Sequence, residues 1–515
     1  MSVTTGVPPL GAQSVTPASV PATPHQAASV GRRLAGWRPG GAGPNAVTQA
    51  SGPELVRRSR DGRRNNPHFR RALDLYSTHI VGTGIKPRSL CRNAKVREGL
   101  NALFAQQADV IDADGVLDFW GMQALVVDEM TEGGEAFARF RPRRLSDGLP
   151  VPFQIQLLPT EMIPLDYRTP NGGNDVVQGI ERDGLGRRAA YWVLPRHPSE
   201  WIGAEFGVDM TPRPVPAADM CHVFNVTRIG QVRGLPWLAA AMTTLHQVAQ
   251  YQDAELLRKQ LAAAIVAFVK RKTPDGGEGG DAGAAAAAAA ALGRVQQVPG
   301  DLPAVSLEPG TVQYLEPDEE MQFALPADVG ANYAPFLAAS YRAVSAAAGL
   351  LYEEVTGDWS AANDRTFRAQ FETFKRACRQ WQWNIVCAQF NAPVWRRFVS
   401  YAVASGAIRV PKSVSDADLY AVEHRPERWA YINPKQDIDA VTAEIDAGLT
   451  ARGAAVAERG DDVEVVDEQR QQDAEREARL GLTRAVSSPT APGGADPEDE
   501  PRPRGPANPA TPSGP

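Results

Sequence analysis

Three carboxylates, Glu353, Glu354 and Asp358, lie close together at the end of a helical pattern. Two carboxyl groups facing across a cleft can protonate a glycosidic oxygen and activate a nucleophile, so this cluster is the chain's best opening for acid–base catalysis. Acidic residues at a helix–loop junction are more often simply solvated, and no accompanying motif supports an enzyme. Cys221 and His222 are adjacent, but neighbours on a strand point to opposite faces, so the pair is expected to be structural rather than a Cys–His dyad. Nucleotide hydrolysis lacks its parts. No G-x-x-x-x-G-K-[ST] is present, and Gly82 and Gly84 begin a G-x-G-x-x-G in which Pro87 replaces the third glycine. There is no G-x-S-x-G elbow, and the seven histidines form no H-E-x-x-H or other metal spacing. Cys91, Cys221, Cys378 and Cys387 contain no C-x-x-C pair, which argues against zinc and disulfides and for reduced thiols. No cofactor, metal or catalytic residue is expected.

The carboxylates border a polar loop, Thr356 to Asn363, set between two helical patterns. After it, Phe367, Phe371, Phe374, Cys378, Trp381 and Ile385 recur at helical period, a seam that commits one face to packing. Asn363 is placed to cap this helix, and Pro393 to kink or divide it. Trp359, among small residues in the loop, signals a contact rather than core.

The chain has 515 residues, 43% hydrophobic and 22% charged, enough for a sizeable core and more than one domain. No run of about 18 apolar residues and no secretion signal is seen, so no membrane partner is expected. Residues 1–50 and 483–515, rich in Pro, Gly, Ala, Ser and Thr, are expected to be disordered. The net charge of -6 hides an asymmetry: residues 31–97 hold 15 Lys/Arg against 3 Asp/Glu, and residues 437–480 hold 13 Asp/Glu against 5 Arg. Arg63, Arg64, Arg70 and Arg71 are therefore candidates for a basic, duplex-binding patch, the alternative reading being a non-catalytic DNA-binding structural protein.

Asn66 to Val81 places Phe69, Leu73, Tyr76 and Ile80 on one helical face before a Gly-Thr-Gly turn. Residues 115–230 read as an α+β region with an antiparallel sheet. Its helix lies near Asp118–Glu132, and strands follow over 135–140, 152–158, 177–182 and 189–194, the last two joined by a turn at Asp183-Gly184 and Gly186. A helix over Leu238–Ala264, with Leu238, Met242, Leu245, Ala249 and Leu256 on one face, would be about 40 Å long. Strands are expected over 265–270, 311–315 and 321–325 around a low-complexity insertion, 273–300, and a helix returns over Tyr333–Leu351.

This order of elements resembles the lambda-type family of tailed-phage portal proteins. The resemblance rests on RRNNPHFRRALDLYSTHIVGTGIKP (63–87), GGEAFARF (133–140), IQLLPTEMIP (155–164), GIERDGLGRRAAYWV (179–193), HVFNVTRIGQVRGLPWLAAAM (222–242), YEEVTGDWSAAND (352–364) and the tail from Ile432 to Asp462, in colinear order. It implies an α+β portal fold with a wing (51–234), stem helices (235–264 and 329–351), a clip (265–328), a tunnel loop (352–365), a long kinked wing helix and following region (366–429) and a helical crown (430–482). It also implies a homo-oligomeric ring of about twelve subunits, a dodecamer, at one capsid vertex. The implied partners are the terminase large subunit, major capsid and scaffold/protease proteins, head-completion (neck) proteins, and double-stranded DNA passing non-specifically. By the same resemblance Asp358, Trp359, Asn363, Asp364 and Arg365 are the DNA-channel candidates. Many members carry a tyrosine near Trp359 and hydroxyl residues after the asparagine, where this chain has Asp364 and Arg365.

Overall fold

The structure, a computed structural model, describes residues 36–200, 209–264, 268–271, 319–322, 333–360, 362–429, 434–459 and 461–482. Helix α1 (Pro44–Asn65) begins with proline in its first turn, where a missing N–H costs nothing. The arm expected over 1–50 therefore gives way to helix by Pro44. Composition misleads there because tertiary contacts decide: the Asn45 amide donates to the Gly230 carbonyl (3.0 Å), and its oxygen accepts from the Val232 N–H (2.9 Å). Helix α2 (Pro67–Ile80) is capped by Asn66, whose side chain accepts from the Phe69 N–H, and buries Phe69, Leu73, Tyr76 and Ile80 as their spacing predicts. The glycine turn leads into β1 (Lys86–Ser89) and then α3 (Ala94–Ala108), which the sequence reading did not anticipate. Helix α4 (Phe119–Gly133) is capped by Asp118 and stops at Gly134, whose φ of 94° suits only glycine.

Seven strands follow: β2 (Glu135–Pro142), β3 (Phe153–Leu158), β4 (Asp175–Val177), β5 (Ile180–Arg182), β6 (Arg188–Val193), β7 (Arg213–Pro216) and β8 (Met220–Phe224). The single antiparallel sheet expected here is two, ordered β3-β2-β8 and β4-β5-β6-β7. The strand expected over 177–182 is broken because Gln178 and Gly179 both take positive φ. The Asp183 turn forms as its residues predict, with Asp183 N–H bonding the Arg187 carbonyl at 2.9 Å.

Helix α5 (Met242–Ala264) starts later than expected, with Leu238 buried in the turn before it. Leu256, assigned to the packing face, is instead 58% exposed. Strands β9 (Phe268–Arg271) and β10 (Glu319–Gln322) pair antiparallel. The insertion at 273–300, the strand expected at 311–315 and the tail from 483 lie outside the described residues. Helix α6 (Tyr333–Ala348) returns along α5, stacking Tyr333 on Tyr251 and placing the Tyr341 hydroxyl 3.3 Å from Gln252.

A short helix, α7 (Tyr352–Thr356), precedes α8 (Asp364–Trp381). Residues Gln382–Asn391 then widen to π-helical register before α9 (Ala392–Ala404), which has Pro393 in its first turn. Proline offers no N–H to the preceding turn, so the helix is divided there as expected. After α10 (Asp416–Leu419), strand β11 (Val422–Arg425) pairs with β1, and α11 (Pro434–Asp446), α12 (Arg452–Ala457) and α13 (Val463–Leu480) close the described chain. The main core gathers α2, α3, α4, the π stretch and α9 around fully buried Trp395, Phe119, Phe390 and Phe398. Each such side chain contributes about 1.5–3 kcal/mol on burial. Among the described residues no helix is long and apolar enough to cross a membrane.

Candidate nucleic-acid interface

The polar loop is built by capping at both ends. Gly357, at φ 72°, ends α7 by donating its N–H to the Glu353 carbonyl at 2.8 Å. The Asp358 carboxylate then accepts from the Ser360 hydroxyl (2.6 Å), the Ser360 N–H (3.1 Å) and the Tyr352 hydroxyl (3.2 Å). The Ser360 bonds hold its pKa below the usual carboxylate range. Asn363 caps α8 as its position predicts, accepting from the Arg365 N–H at 3.0 Å. Asp358, Asn363 and Arg365 are all exposed; Asp364 is the first residue of α8, and Ala361 lies outside the described residues. Trp359 is 49% exposed, its ring edge-on to Phe367 at 5.3 Å. Asp358, Trp359, Asn363 and Arg365 thus share one exposed segment that carries an acid, an indole, an amide and a base.

Helix α2 holds the loop's leading end. His79 Nε2 is 3.0 Å from the Glu354 carboxylate, and Arg71 donates to the Glu354 carbonyl at 3.1 Å. These engagements leave the Glu353, Glu354 and Asp358 cluster without a free pair of opposed carboxylates. The seam behaves as its spacing predicts: Phe374, Cys378 and Ile385 are buried, and Phe367, Phe371 and Trp381 pack half-buried against the core.

Of the four arginines proposed as a basic patch, one is turned inward and three are exposed. Arg63 is turned inward, bonding Glu132 (2.8 Å) and Asp74 (3.2 Å) and lying 3.5 Å from Asp128. Arg71 is exposed and donates one bond to the Glu354 backbone carbonyl. Arg64 and Arg70 remain exposed, with Arg70 3.6 Å from Asp74. Two of the five arginines of α1 are turned onto α4, since Arg60 also grips Glu129 with both terminal guanidinium nitrogens (2.6 and 2.8 Å) and reaches Glu132, with Glu161 beside them. Burial pushes the Glu129 carboxyl up to about 7 despite that contact.

The sequence reading also missed a fully buried ionic centre. Glu135, first residue of β2, accepts from Arg233 Nε (2.6 Å), Thr160 Oγ1 (2.7 Å), His222 Nε2 (2.8 Å) and the Gly234 N–H (2.9 Å). Arg188 donates to His222 Nδ1 at 2.8 Å, so neutral imidazole protonated on Nε2 satisfies both neighbours. Burial lowers the His222 pKa to about 4, while Arg233 and His222 outweigh desolvation to hold Glu135 well below the ordinary carboxylate range. Cys221 points to the opposite face, its thiol pushed up to about 12 by burial, so the adjacent pair is structural as expected. The available signal was Glu135 itself, an acid straight after Gly133-Gly134 that opens a strand beginning with apolar Ala136, Phe137 and Ala138.

The model of a family described as "Phage portal protein, lambda family" matches residues 30–382. A "Probable portal protein" of Halomonas phage phiHAP-1 is 22% identical over 448 residues, covering 83% of this chain and 81% of that protein. Among solved structures, a chain from the neck of an empty gene transfer agent particle, computed with C6 symmetry, superposes with a TM-score of 0.47 at 15% identity, covering 80% of this chain and 93% of that one. A chain from the neck of the native particle, computed with C12 symmetry, gives a TM-score of 0.43 at 16% identity, covering 80% and 96%.

Proposed function

The chain belongs to the lambda family of phage portal proteins, and from that premise we propose that its copies close into a ring of about twelve subunits with Asp358, Trp359, Asn363, Asp364 and Arg365 facing the central channel. A phage portal sits in the virion at one capsid vertex, where it is the passage for double-stranded DNA during packaging and ejection. The observation that carries the reading is the family match over 30–382, which takes in the wing-like sheets, the paired helices α5 and α6, the loop and the whole of α8. The packed pair α5 and α6, joined across β9 and β10, suits stem helices carrying a clip, and α11 to α13 suit a crown.

The loop's chemistry agrees with passage rather than capture. Each phosphate held by a cation adds affinity and would slow a moving duplex. Asp358 and Asp364 offset Arg365, while Trp359 and Asn363 offer uncharged contact. We read the protein as a non-enzymatic scaffold. A separate terminase large subunit supplies ATP hydrolysis, head-completion proteins follow it onto the ring, and capsid and scaffold/protease proteins surround it. The alternative of a duplex-binding surface within residues 31–97 has the inward engagement of Arg63 against it. Negative-stain images of the purified chain should show rings with a central hole. Monomers alone, at high concentration and in every buffer tried, would overturn the reading. A photo-crosslinker at position 359 should label duplex threaded through the ring, and labelling no stronger than at exposed Leu145 would remove the loop from the channel.

A further inference from the structure

Both ends of the loop converge on one side chain outside it, Trp429. From the trailing end, Trp359 leans on Phe367, Phe367 stacks on Phe371 (5.5 Å, 17°), and Phe371 meets Trp429 edge-on (5.4 Å, 82°). From the leading end, Glu354 bonds His79, and His79 stacks flat on the same indole (5.5 Å, 13°). Phe374 closes the cage, edge-on to both His79 (4.9 Å) and Trp429 (6.1 Å). Beside it lies an open groove of about 680 Å³ bordered by His79, Glu354, Phe367, Phe371 and Trp429, which leaves the rings room to shift.

Trp429 also stands four residues beyond Arg425, the end of β11. Arg425 donates to the Asp461 carbonyl (2.9 Å) and the Asp462 carboxylate (3.1 Å), and Asp462 caps α13 through the Glu464 N–H (2.7 Å). Arg88 on β1 pairs with Asp462 and, with Arg97, reaches Glu464 (3.4 and 3.2 Å). The C-terminal helices are thus fastened to the β1–β11 ribbon whose continuation holds the loop.

We propose that Trp429 is a positioning residue that couples the loop at 357–363 to the C-terminal helices, so that displacing either one alters the other. The inference deepens the channel reading by naming how the channel-facing segment is regulated, and it rests on that reading only for its purpose, since the coupling is a property of the chain without DNA. Coupling free energy is reciprocal, which makes the idea testable from both ends. Hydrogen exchange would be followed on the full-length protein without DNA, comparing wild type with Trp359→Ala, Trp429→Ala, Trp429→Phe and, as an exposed control on the same long helix, Trp383→Ala. Trp429→Ala should speed exchange severalfold in both 352–363 and 452–466, and Trp429→Phe should restore much of it. Trp359→Ala, an exposed change that leaves the fold intact, should speed exchange over 422–429, where Trp383→Ala does nothing. If Trp429→Ala does not fold, the Trp359→Ala comparison decides alone. Unchanged exchange at 422–429 in that variant, or loosening by Trp429→Ala confined to the C-terminal helices, overturns the proposal. Rings whose loop crosslinks no DNA would sink the channel reading and leave this coupling standing.

Discussion

Replacing Glu135 by glutamine removes one charge and almost no volume, so its cost isolates the buried ionic centre. Oε1 receives Arg233 Nε and the Thr160 hydroxyl; Oε2 receives His222 Nε2 and the Gly234 N–H. The Thr160 hydroxyl can rotate to accept. His222 cannot give up its Nε2 proton, because Nδ1 must keep accepting from Arg188. Whichever way the new amide turns, its NH2 faces an N–H with no acceptor to offer, either Arg233 or Gly234, and the Arg233 guanidinium, 0% exposed, loses its counter-charge. Removing one partner of a buried pair costs about 3–5 kcal/mol. Urea unfolding at pH 7 should show Glu135→Gln destabilised by that amount. Glu135→Leu combined with Arg233→Met should cost less than either single change, because no orphaned charge remains. A loss below about 1 kcal/mol for Glu135→Gln, or strictly additive losses in the double variant, would refute this account of the centre.

The pH dependence of stability follows from His222, whose folded pKa of about 4 lies below its unfolded value. The unfolded chain therefore binds more protons between roughly pH 6.5 and 4. Stability from this group is complete above that window and falls by about 3 kcal/mol as pH drops through it. His222→Gln, whose amide can donate to Glu135 and accept from Arg188, should flatten the thermal-melting profile there. Glu129, raised to about 7, acts in the opposite sense in both proteins, losing stability as pH rises from roughly 4.5 to 7. Arg63→Ala should cost about 2 kcal/mol by taking the guanidinium away from Asp128 and leaving Glu132 with Arg60 alone, whereas exposed Arg64→Ala should stay within about 0.5 kcal/mol, as denaturant titration would show. Gly234→Ala should abolish native expression, because the new methyl would collide with the Gly134 carbonyl oxygen, and a soluble variant with wild-type melting would contradict that packing.

What the sequence made legible was local. The Asn66 and Asn363 caps, the seam from Phe367 to Ile385, the Asp183 turn and the division at Pro393 are each decided within a few residues, and each forms as its chemistry predicts. The errors fall where a distant segment decides. Pro44 to Ala50 looks like the disordered arm until Gly230 and Val232 take up Asn45. Charge counting made a surface of Arg63 because the carboxylates that absorb it lie on α2 and α4, with Glu132 69 residues away. The Glu135 centre draws on β2, Thr160, β6, β8 and the Arg233–Gly234 segment, so no window of sequence contains it. Trp429 follows the same rule: alone it is an aromatic after a short strand, and only the fold brings His79 and Phe371 against its ring. In this chain, then, charged and aromatic residues that look idle along the sequence are the ones that tie distant elements together. Neutralising Arg60, Arg63 or Arg425 should therefore lower the melting temperature by freeing the carboxylates each one holds.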